Sequence, residues 1–200
     1  LDTKKIRKQS LDELTNQVGV YALCDLDRMP IYIGQSLDGI KARVQRHLTS
    51  ARSDVIANRQ LDIWEICEVW AWPVGEKISS TASAVKKKRQ KDEVAELEHY
   101  LIHLHNNQSP LVNGKLPPQV GKTPQVPEKS ITPVMSDEER ELRLDPIRRL
   151  PRQLDQLSVL FKHILEVKDN SEQRRMLKVH FDRTSAYYAK FMSGNEDNRS

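Results

Sequence analysis

The chain has 200 residues, 38% of them hydrophobic and 30% charged, with a formal charge of +4. That suits one ordinary domain, or a small domain with an appendage, and leaves polar material to spare. Residues 1–115 carry 17 basic against 15 acidic residues, and residues 116–200 carry 15 against 13, so neither half is a basic module and any anion-binding surface must be local.

No run of eighteen apolar residues exists, so no membrane-spanning helix is expected. The basic N-terminus, LDTKKIRKQSLDEL, lacks the apolar stretch of a signal peptide. Cys24 and Cys67 both sit in apolar runs and read as reduced core residues, a disulfide or reactive thiol being the minor alternative. A cytoplasmic protein is the expectation.

Residues 3–15 read as a short helix anchored by Ile6, Leu11 and Leu14. Residues 18–24 and 30–34 are rich in Val, Ile and Tyr and read as strands, joined by a polar turn at Cys24–Arg28. Residues 38–50 form a helix with Ile40, Val44 and Leu48 on one face, and Arg43 and His47 share a second face at i, i+4. Residues 53–58 extend or follow it. LDIWEICEVWAWPV, 61–74, has apolar residues on both parities, as a central strand does; its three tryptophans are either core or a base-stacking surface.

Ser79-Ser80-Thr81 is placed to cap a long helix reaching about residue 106, with Val94, Leu97, Leu101 and Leu104 as its apolar stripe. Lys86, Lys87, Lys88 and Arg89 crowd its N-terminal end, the poorer end for cations. They are either a solvated face or a phosphate-contacting patch. SPLVNGK, 109–115, closes this unit.

Five prolines between 116 and 134 mark residues 116–135 as a linker or surface-draped segment. Ser136-Asp137-Glu138-Glu139 has capping-box form and starts a short helix, and Asp145-Pro146 a further turn. Residues 152–168, with Leu154, Leu157, Phe161 and Ile164, pair with 171–192 as a helical hairpin inside a helical region 136–192. Residues 193–200 read as a disordered tail.

The chemistry-bearing candidates are Tyr21, Tyr32, Arg43, His47, Glu98 and Asn113. Phosphodiester hydrolysis builds negative charge on the equatorial oxygens, which an arginine or a metal must meet. A divalent ion needs at least one carboxylate oxygen. A tyrosine or histidine can take the proton from water. One helix offers Arg43 and His47, the strands offer the tyrosines, and the long helix offers Glu98. His99 and His103 have zinc spacing, but no second ligand group accompanies them.

At these residues the chain resembles the GIY-YIG nuclease superfamily. GVY (19–21) and YIG (32–34) match its two name-giving elements, Arg43 and His47 in ARVQRH its helix motif, Glu98 in LEHYLI its glutamate, and Asn113 in SPLVNG its asparagine. The match spans roughly residues 17–115, so that 1–115 reads as the nuclease domain. The resemblance implies an α/β (α+β) fold: a three-stranded antiparallel sheet flanked by helices, here followed by the helical hairpin. It implies one Mg²⁺ or Mn²⁺ held by Glu98, with Arg43 on the scissile phosphate. Tyr21 would be general base or water-positioning residue, assisted by His47. Tyr32 would order the substrate, and Asn113 would fix local geometry. Arg46, Gln35 and Ser36 are candidates for secondary nucleic-acid contacts, and Lys86, Lys87, Lys88 and Arg89 would join them if they are a phosphate patch rather than a solvated face. The expectation is a metal-dependent DNA endonuclease, with residues 116–200 aiding substrate binding or homodimer formation. Lys122 and Lys129 of the linker, with Arg148, Arg149, Arg152, Arg174 and Arg175, would be its further phosphate contacts, the alternative for the arginines being solvated helix faces. The alternatives are a catalytically retired module, or a DNA-binding regulator that uses the C-terminal helices.

Overall fold

The computed structural model describes residues 3–49 and 60–196. The segment 53–58 and residues 197–200 of the expected tail lie outside them, while 193–196, expected in that disordered tail, continue the last helix. The elements run α1 (Thr3–Glu13), β1 (Val18–Cys24), β2 (Pro30–Ser36), α2 (Ile40–Thr49), β3 (Glu68–Gly75) and α3 (Ala84–Gln108), then β4 (Ser130–Pro133), α4 (Asp137–Leu144), α5 (Pro146–Glu166) and α6 (Ser171–Glu196). The architecture is α+β, with one antiparallel sheet of order β2-β1-β3-β4.

All seven residues of β1 are buried, because the strand lies between two partners and under helices on both faces. Tyr21 and Leu23 pack with Leu11, Leu14, Ile40, Val44 and Leu48 of α1, α2 and the loop between α1 and β1. Val18, Val20, Ala22 and Cys24 pack with Val94, Leu97 and Leu101 of α3. The strict alternation of side chains along a strand sends these sets to opposite faces.

The sheet has four strands where three were expected. The fourth comes from the proline-rich segment: Ser130–Pro133 pairs with Glu68–Ala71 of β3. Pro133 stands at the end of this short edge strand, where a missing N–H costs least. β3 starts seven residues later than its apolar pattern suggested. Asp62 accepts from the Trp64 N–H at 3.1 Å and its carbonyl from the Glu65 N–H at 3.1 Å, which turns the chain there.

The tryptophans serve packing. Trp72 is buried, Lys129 Nζ lies 3.4 Å from the Trp70 ring centroid, and the Arg143 guanidinium lies over Trp64. Cys24 and Cys67 are free and buried, and burial raises both thiols, Cys67 to about 12. Among the described residues no helix is long and apolar enough to cross a membrane.

The C-terminal helices are fastened to the sheet unit by arginines expected on phosphate. Arg149 pairs with Asp27 at 2.8 Å and Glu65 at 3.0 Å, and Arg152 with Asp62 at 2.6 Å. Arg183, which was not among those expectations, pairs with Asp25, and Arg175 reaches the last turn of α3 and the loop after it. Arg174 pairs locally with Asp169. α5 begins at Pro146, six residues before the expected start, because Asp145 accepts from the Ile147 N–H and Pro146 takes the first turn. The longer helix puts Arg149 and Gln153 on the buried stripe with Leu157, Leu160 and Ile164, and leaves Leu154 and Phe161 exposed. A purely apolar stripe misses this, since two of its members are polar residues spent on partners outside the helix.

Candidate active site

The register of β1 on β2 builds the aromatic part of the site. Tyr21 faces Gly34 and Leu23 faces Tyr32, so the two tyrosines are diagonal neighbours on one face of the sheet. Their ring centroids lie 6.3 Å apart. A Cβ on Gly34 would stand 2.6 Å from the Tyr21 hydroxyl and 3.0 Å from the Tyr32 ring. Glycine is therefore required at 34 by close approach. The Gly34→Ala variant is expected to lose about 1–3 kcal/mol of stability by overpacking, read in a urea melt. An unchanged midpoint would show that the phenol has room to move.

α2 covers this face. Gly39, at φ +107°, opens it, packed so closely on Asn16 that a Cβ would meet the Asn16 carbonyl at 2.7 Å. The Ser36 hydroxyl donates to the Gly39 carbonyl at 2.8 Å. Ser36 is thus buried and spent on this turn. Val44 and Leu48 bury the apolar face, and His47 is drawn inward with them. Its Nε2 lies 2.7 Å from the Tyr21 hydroxyl, and its ring centroid is 5.8 Å from both tyrosine rings. Arg43, one turn earlier and half-buried, hydrogen-bonds Tyr21, as does Tyr32. Burial pushes the Tyr21 phenol well above its ordinary pKa, with the neighbouring Tyr32 next, while the Arg43 charge pulls it back.

β2 is an edge strand, and its outer edge recruits the other candidates. The Ile31 carbonyl accepts from the Val112 N–H at 2.7 Å. The Ile33 N–H donates to Asn113 Oδ1 at 3.1 Å, and Asn113 Nδ2 donates to the Ile33 carbonyl at 2.7 Å. Next along the edge, the Gln35 backbone and side chain hydrogen-bond the Glu98 carboxylate. Unpaired edge groups must find partners, and here Asn113 and Glu98 are those partners.

Glu98 lies on α3, whose buried stripe is Val94, Leu97, Leu101 and Ile102; Leu104 is exposed. Burial raises the Glu98 carboxyl to about 7, opposed by Gln35 and by the Arg43 charge. Arg43 thus acts on Tyr21 and on Glu98 at once. The Gln35 side-chain oxygen is buried without a hydrogen-bond partner, so Gln35 serves Glu98 and leaves one acceptor unspent.

The basic candidates stand apart from this centre. Lys86, Lys87, Lys88 and Arg89 are exposed on the first turns of α3, capped by Ser83 rather than by residues 79–81. Lys88 precedes Glu98 by ten residues, about 15 Å along the axis. Lys86 and Arg89 line a 440 Å³ cleft with Lys77. Arg46 is exposed on α2.

A divalent ion fits the oxygen chemistry here only on one protein carboxylate. Among the described residues no group of three or more His, Cys, Asp or Glu is gathered to hold a metal. Glu98 would hold the ion as a single protein ligand, with water and phosphate as the rest. One residue with a strong hold on the site carried no catalytic signal in the sequence: Arg175, 62 positions from Asn113, donates to its carbonyl. No local pattern links residues so far apart.

Comparison with protein-family models, with curated proteins and with solved structures found no match.

Proposed function

We propose that the chain is a metal-dependent DNA endonuclease of the GIY-YIG type. The observation that carries this reading is one hydrogen-bonded group of Tyr21, Tyr32, Arg43 and His47 that meets Glu98 across the edge of β2. Five residues drawn from four elements serve phosphoryl chemistry better than packing.

Tyr21 is wholly buried and His47 nearly so, whereas Tyr32 keeps an open side. In this reading Tyr32 meets the attacking water. The water proton passes to the Tyr32 oxygen, the Tyr32 proton to Tyr21, and the Tyr21 proton to His47 Nε2, which becomes imidazolium. Tyr21, first expected as the base or water-positioning residue, is in this reading the relay behind it. Arg43 carries the charge that develops on the phosphate. A Mg²⁺ or Mn²⁺ bound at Glu98 supplies Lewis acidity to the phosphate oxygens. Arg46, Lys86, Lys87, Lys88 and Arg89 supply exposed positive charge for the flanking backbone. The exposed Leu154, Phe161 and Leu165 of α5 offer a homodimer surface in the same reading.

The test is incubation with Mn²⁺ and a pool of randomised single- and double-stranded DNAs, followed by sequencing of the ends. Cleavage that EDTA abolishes is expected. Intact DNA under Mn²⁺, in a protein that binds it, would favour the retired module instead.

A further inference from the structure

Arg175 stands on α6, in the C-terminal region, yet its guanidinium is turned into the loop after α3. Nη1 donates to the Leu111 carbonyl at 2.9 Å and to the Asn113 carbonyl, and Nη2 donates to Asn106 Oδ1 at 3.1 Å. Asn106 Oδ1 also accepts from the Leu111 N–H at 3.1 Å. All the acceptors are neutral. Burial lowers the Arg175 pKa. A cation half-withdrawn from water with no carboxylate partner among the described residues is a cost, and it is spent on holding three backbone and amide oxygens in one geometry. The contact is close on both sides: a Cβ on Gly114 would stand 3.2 Å from Glu172 Cβ.

What those oxygens belong to gives the arrangement its meaning. Val112 and Asn113 are the residues that pair with the outer edge of β2, through the Ile31 carbonyl and through both polar groups of Ile33. Ile33 lies between Tyr32 and Gly34. The path is continuous: α6 holds the loop, the loop holds the edge, and the edge sets the placement of Tyr32. A guanidinium suits this task because its planar fork serves several oxygens from one fixed direction.

We propose that Arg175 is a positioning residue of the site, fastening the C-terminal helices to the Asn113 loop so that Asn113 keeps Ile33, and with it Tyr32 and Gly34, in place. Its effect on rate rests on the nuclease reading; its effect on the β2 edge does not.

Amide hydrogen exchange separates the two. In Arg175→Ala, the Ile33 and Val112 amides are expected to exchange about tenfold faster, while Val20 and Ala22 in central β1 hold their wild-type rates. Cleavage should fall by about tenfold in kcat with KM and Mn²⁺ affinity unchanged. Arg175→Lys, which keeps the charge and a single donor head, should lie between the two, and it replaces the alanine variant if that fails to fold. Unchanged exchange at Ile33 would overturn the proposal, as would acceleration of all amides alike. If the wild type cuts nothing, the exchange result still decides whether Arg175 holds the edge, and only the nuclease reading falls.

Discussion

If the proposed nuclease reading holds, Glu98→Gln is expected to give a folded protein that no longer binds Mn²⁺ and cuts DNA at least about a thousandfold more slowly, since it removes the carboxylate that the described site residues offer the ion. The variant should be more stable than the wild type, not less. Burial raises the Glu98 carboxyl to about 7 in the folded state, above its unfolded value. Such a group favours the fold fully below the unfolded pKa and loses that contribution as pH rises through 7. The stability gap between Glu98→Gln and wild type should therefore open between about pH 4.5 and 7 and level off near 3 kcal/mol above it. Urea melts at pH 5 and pH 8 measure it, and a gap that ignores pH would mean that Glu98 is solvated. The same proton competes with the ion. Mn²⁺ affinity should climb about tenfold per pH unit below 7 and flatten above, read by calorimetry without DNA.

Arg43→Ala is the second large effect. Charge on the phosphate grows toward the transition state, so the loss should fall on kcat, by about 10²–10³-fold, with KM little changed. A loss confined to KM would make Arg43 a binding residue instead. Arg43 also lowers the pKa of Glu98 and of Tyr21. Its removal should therefore move the acid limb of the rate profile to higher pH, which a purely steric role would leave in place. Arg43→Lys keeps the charge but not the planar fork, and should recover the pH profile before it recovers the rate.

The order of elements through α3 was legible because each has a local cause. Val, Ile and Tyr runs gave β1 and β2, and the i, i+4 spacing of Ile40, Val44 and Leu48 gave α2 with Arg43 and His47 on a shared face. β4 was not legible. Ser130–Pro133 has no apolar alternation of its own and is a strand only because β3 offers it an open edge. The arginines of the C-terminal helices were misread for a related reason. An arginine facing water and one facing Glu65 look alike in a sequence, and only the packing of α5 on the turn at Asp62–Glu65 tells them apart.

The sequence by itself determined which residues are candidates for the proposed chemistry, because motif and helical spacing are local: GVY, YIG, Arg43 with His47, and Glu98. Only the tertiary structure decided their arrangement. The register that sets Tyr21 over Gly34, the burial that puts Tyr32 rather than Tyr21 toward open space, and the edge that joins Asn113 and Glu98 to β2 all depend on contacts between distant segments. Those contacts follow from strand pairing and from the need of edge backbone groups for partners, which no single stretch of sequence contains.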